Sequence, residues 1–95
     1  MTEEYRVERA VLMNCYAELV IQDLHLIQFY YELFEVPEPE REDIGFFIQL
    51  ARGYAVRRDD ESVVHLLQLE DQVSNVVEYF RSREAIEEDM LQLLR

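Results

Sequence analysis

The sequence predicts an all-α protein, a small bundle of three to four helices with a long first helix, completed by dimerisation. Three observations lead there. Of the 25 positions from 10 to 34, 18 are apolar, more than a helix that faces solvent on one side carries. The chain has two Gly and two Pro, so little interrupts its periodic segments. Apolar positions elsewhere recur at helical rather than alternating spacing.

The first helix opens with Thr2 as cap, and Glu3 and Glu4 follow at the positive end of the helix dipole. It stops at Val36-Pro37-Glu38-Pro39, where each proline pushes the residue before it out of α geometry. At about 1.5 Å per residue it approaches roughly 50 Å, longer than a compact globule of this chain is wide. It is therefore expected to kink or to protrude into a partner.

At about 100° per residue, Asn14, Glu18, Gln22, His25, Gln28 and Glu32 share one polar stripe. Asp23 falls instead in the apolar face, where an unpaired carboxylate is costly. A local kink that turns it outward, a buried pair with an Arg or Tyr, or a functional acid would each account for it.

A second helix is expected from Pro39, with Glu40, Glu42 and Asp43 in its first turn. Ile44, Phe47, Ile48, Ala51, Tyr54 and Ala55 share one of its faces. Gly53 could end it early, and residues 57–60 form the next turn. The third helix starts with Asp59 or Asp60 as cap, and Leu66, Leu69, Val73, Val76 and Phe80 form its core seam in an antiparallel bundle. Past Phe80 that seam meets Glu84 and Glu87, while the apolar residues shift to Ile86, Met90, Leu93 and Leu94. A kink near residues 81–83, with Ser82 capping a short fourth helix, is the expected response.

Residues 1–95 read as one domain. The formal net charge is −12 and is spread along the chain. Such a field repels nucleic acid and anionic membranes, so a charged partner should be a basic protein. All nine basic residues are Arg, which leaves no lysine for Schiff-base chemistry. The single Cys15 has no disulfide partner within the chain and is expected to be a buried thiol. An acidic N-terminus and charge-free runs at 10–17 and 24–31, too short to span a bilayer, predict a cytoplasmic protein.

Glu18, His25 and Glu32 on helix 1, with Glu61 and His65 on helix 3, are the side chains closest to a metal-ligand pattern. Neither His follows a Glu by three residues, as carboxylate-bridged bundles require, so no metal and no cofactor is expected. There is no glycine-rich phosphate loop and no triad context, which predicts a protein that is not an enzyme.

What remains is interaction. Tyr16, Leu19, Leu26, Ile27, Tyr30 and Phe34 are the candidates for self-association as a homodimer. Glu70, Asp71, Glu78, Glu84, Glu87 and Glu88 are the candidates for an acidic face that imitates phosphate spacing and masks a basic, nucleic-acid-binding partner surface, as an inhibitor or immunity-type protein would. The alternative is a dimeric adaptor, chaperone or small structural subunit that binds through the apolar face of helix 1, its acids serving solubility.

Overall fold

A computed structural model describes residues 3–95, with side chains from Arg6 onward. The Thr2 cap lies outside the described residues. Three α-helices make up the fold: α1 (Glu3–Leu33), α2 (Ile44–Arg57) and α3 (Asp60–Leu93), and no strand occurs among the described residues. Between α1 and α2 lies one 3-10 turn at Glu38–Glu40.

α1 ends through its backbone. Glu35 adopts a left-handed conformation (φ 51°). Its N–H donates to the Glu32 carbonyl at 3.2 Å, and the Val36 N–H donates to the Tyr31 carbonyl at 3.0 Å. This pair of bonds satisfies the last free carbonyls of the helix before the prolines intervene. Arg41 then fastens the return. Its guanidinium donates to the Val36 carbonyl (2.6 Å), the Tyr31 carbonyl (3.3 Å) and the Glu32 carboxylate (2.7 Å).

That anchoring holds Arg41 extended (ψ 136°), so α2 does not begin at Pro39. It begins at Ile44, where the Asp43 carboxylate accepts the Phe46 N–H at 3.1 Å. Gly53 stays inside α2. The helix stops instead at Arg58, left-handed at φ 58°, whose N–H donates to the Tyr54 carbonyl at 3.1 Å. Asp59 then caps α3, accepting the Ser62 N–H at 2.7 Å.

α1 and α3 run parallel, with the shorter α2 antiparallel to both. Arg9 meets Asp60 at one end (2.7 Å) and Tyr30 meets Glu84 at the other (2.9 Å), at sequence separations of 51 and 54. Each helix is thus antiparallel to the next in sequence. Its core joins Met13, Ala17, Val20, Ile21, Leu24, Ile27, Tyr30 and Tyr31 of α1 to Ile44, Ala51 and Ala55 of α2 and Leu66, Leu69, Val73, Val77 and Phe80 of α3.

Three further expectations need correction. Neither long helix is interrupted: α1 is continuous through Asp23, and α3 continues through residues 81–83, so the described residues form no fourth helix. The shift of its apolar stripe is carried by an unbroken helix that leaves the new stripe in solvent. Val77, not Val76, belongs to the core seam, because the buried positions step from Leu69 to Val73 to Val77 along one 3.6-residue ridge. Cys15 is exposed; at 100° per residue it points well away from its buried neighbours Met13 and Ala17. Separately, and by length and composition alone, Arg6–Leu33 is apolar enough to cross a membrane, a test that a buried core helix also passes, with an 18-residue window of mean hydropathy 1.2. In the fold, 33% of the window is buried inside the bundle.

Candidate protein-interaction surface

A third helix covers only one side of the α1–α3 pair. α2 lies over the side lined by Leu24, Ile27 and Tyr31 of α1 and Leu69, Val73 and Val76 of α3, leaving a crevice of about 160 Å³. On the N-terminal half of the pair, a second groove of about 480 Å³ stays open. Leu12, Met13 and Tyr16 of α1 line it together with Val63, Val64, Leu66 and Leu67 of α3. Met13 and Leu66 form its buried floor, whereas Leu12 (58% exposed), Tyr16 (38%), Val64 (51%) and Leu67 (43%) stand in water.

The wall continues along α1. Leu12, Tyr16, Leu19, Asp23 and Leu26 follow each other at alternating steps of four and three residues, the spacing of a helix-packing seam. Leu19 is 51% exposed and Leu26 is half-buried. Asp23 occupies one position of that seam, half-buried, and no described cation forms an ion pair with it. It reaches water without any break in α1, since it stands half-buried in a continuous helix.

Two acidic side chains, Glu8 and Asp60, stand at the N-terminal end of this apolar strip, beside Arg9. Arg9 is engaged, donating to Asp60 at 2.7 Å.

The six residues expected to mediate self-association divide. Tyr16 and Leu19 are exposed, and Leu26 is half-buried. Ile27 and Tyr30 are buried within the protomer, and Leu26 and Phe34 pack against the core, so these four are spent wholly or partly on the chain's own fold. Tyr30 and Phe34 both stack on Phe80, with ring centroids 5.3 and 5.8 Å away, and Tyr31 meets the same ring edge-on at 5.9 Å. Burial and the adjacent Glu84 carboxylate push the Tyr30 phenol above its ordinary pKa.

The acidic residues of α3 do not share one face. At about 100° per residue, Glu70, Asp71, Glu78, Glu84, Glu87 and Glu88 spread around more than a third of the helix. Two are partly engaged: Glu84 accepts the Tyr30 hydroxyl proton, and Glu87 lies 3.6 Å from Arg83. Glu18, His25 and Glu32 are exposed on α1, and Glu32 is drawn to Arg41. His65 packs its ring 5.5 Å from that of Tyr54. No cluster of three metal-ligating side chains occurs among the described residues.

Sequence reading missed the groove for a definable reason. It located apolar stripes but not which side of the α1–α3 pair the shorter α2 would leave uncovered. The signal was present in the 12-16-19-23-26 spacing, hidden by the near-continuous apolarity around it. Comparison with known proteins finds no matching family model, no matching curated protein and no matching solved structure.

Proposed function

We propose that this chain is a non-enzymatic, cytoplasmic interaction module that takes a basic amphipathic helix of another protein into the open α1–α3 groove. One observation carries the reading: Leu12, Tyr16, Val64 and Leu67 stay exposed around a buried floor, although a monomer gains by covering such side chains. A helix laid in a groove supplies that cover through side chains repeating every three or four residues. The partner's basic character follows from the −12 net charge and from Glu8 at the groove itself, where Asp60 is already paired with Arg9.

This joins the adaptor and inhibitor readings of the sequence on one surface. The apolar strip supplies affinity, and the acids supply steering and selection against anionic competitors. The scattered carboxylates at the far end of α3 are less suited to imitate a line of phosphates.

The test is calorimetric titration with a synthetic amphipathic helix of alternating Leu and Arg faces. Binding that weakens with salt, is lost in Leu12→Glu/Leu67→Glu, and survives Glu84→Arg/Glu87→Arg/Glu88→Arg supports the groove. Binding that survives the first variant and is lost in the second returns the function to the acidic end of α3.

A further inference from the structure

Asp23 interrupts a line of apolar side chains on the open side of α1. At about 100° per residue it turns only about 20° from Leu12 and from Tyr16, which both line the groove. Leu19 and Leu26 flank it along the seam. The pairings of Arg9 with Asp60 and of Tyr30 with Glu84, offset by 51 and 54 residues, set Asp23 level with residues 74–77 of α3. The facing line of α3, Val63, Leu67, Glu70 and Ser74 at helical steps, also turns polar on the way there, with Glu70 and Ser74 half-buried. The open side of the α1–α3 pair is thus apolar from Leu12 to Tyr16 and acidic about two turns further on.

We propose that Asp23 is the specificity-determining residue of this surface: the helix that it takes must carry an arginine or lysine inside its own apolar face, seated on the Asp23 carboxylate. The inference rests on the groove reading above and adds where the partner's positive charge lies and in which register.

Desolvation carries the argument. In the free chain Asp23 is half-buried, and among the described residues no ion pair reaches it, so water holds its charge. A helix laid over Tyr16, Leu19 and Leu26 strips that water away. An all-apolar ridge then leaves a carboxylate without counter-charge, which is costly, whereas a cation in the ridge forms a charge-assisted hydrogen bond there.

The chain's own arginines near the seam are committed elsewhere. Arg9 lies fourteen residues away along α1 and pairs with Asp60. Arg41 is bonded to the end of α1, Arg81 lies beside Tyr30, and Arg83 rests 4.5 Å above the Phe34 ring. The counter-charge therefore comes from the partner, and Glu70 on the facing wall favours the same sign. A single charge in an apolar seam also fixes register. Sliding the bound helix by one turn sets its cation against Leu19 or Leu26 and leaves Asp23 unpaired.

The experiment is calorimetric titration of the full chain with two synthetic helices of identical composition, each with a leucine seam and an arginine-rich outer face. They differ by the exchange of one mid-seam leucine with one outer arginine. The native chain should bind the isomer with the seam arginine at least about tenfold more tightly. Asp23→Asn should abolish that preference and Asp23→Leu should invert it, with circular dichroism confirming unchanged helicity. Equal binding of both isomers by the native chain, or a preference that persists in Asp23→Asn, would overturn the inference and leave the groove reading standing. Binding of neither isomer by any of the three chains would overturn both.

Discussion

The Tyr30 hydroxyl donates to the Glu84 carboxylate at 2.9 Å, joining the last turns of α1 to α3 just above the Phe80 ring. The phenol is buried and the carboxylate exposed, so removing the hydroxyl leaves a group that water can satisfy. Tyr30→Phe should cost only about 1 kcal/mol in urea unfolding. Burial and the Glu84 charge raise the pKa of Tyr30. The stabilisation linked to its neutral form is complete below the ordinary tyrosine value near about 10 and is lost as pH rises through the raised folded value. Ultraviolet titration should show a late transition for Tyr30 in the native chain that disappears in Tyr30→Phe.

Phe80 receives three aromatic neighbours from the end of α1, whereas the adjacent Tyr79 faces solvent. Phe80→Ala should lower stability by about 3–5 kcal/mol, a large share of what a domain of this size has. Tyr79→Ala should stay within about 0.5 kcal/mol in the monomer. Equal losses from the two would mean that the core seam does not end at Phe80.

Asp59 caps α3, and the bonds from Ser62 hold its carboxyl below the usual carboxylate range. Its contribution is present above the unfolded value and is lost as pH falls through the lowered folded value. Asp59→Asn should keep the cap while removing this acid-side dependence, and Asp59→Ala should lower the thermal midpoint at neutral pH. Parallel melting curves between neutral and acidic pH distinguish the three chains.

Glu35 holds a left-handed conformation at the end of α1 without any side-chain bond. That geometry suits glycine and strains other residues. Glu35→Gly should stabilise by about 0.5–1 kcal/mol, read as a higher urea midpoint at unchanged slope. A loss of stability would indicate that the turn is held by Arg41 alone.

Local features were the ones legible in the sequence. The α2 face and a cap at Asp59 or Asp60 depend on a few neighbouring residues and stand where the sequence put them, whereas α1 ends at Leu33 through the left-handed Glu35, ahead of the prolines that marked its stop. The start of α2 was less visible, because it depends on Arg41 reaching back to carbonyls of α1. The continuity of α3 was hidden because a shifted apolar stripe reads as a kink if everything apolar must be buried within one chain. The division of Tyr16 and Leu19 from Ile27 and Tyr30 required knowing where α3 lies, and hydrophobic pattern alone carries no direction.

The parallel alignment of α1 and α3 also bears on how the chain reaches its native state. Contacts such as Arg9 with Asp60 and Tyr30 with Glu84 close loops of more than fifty residues, so their entropic cost falls due before any local gain from the pair. The reversal through α2 supplies the short-range contacts that shrink that loop. Weakening α2 at Ala51 should therefore slow refolding, whereas loss of Phe80 should chiefly hasten unfolding, a contrast that the two arms of a denaturant chevron would resolve. The smallest helix is then the rate-setting hinge of assembly, and the two long ones are its cargo.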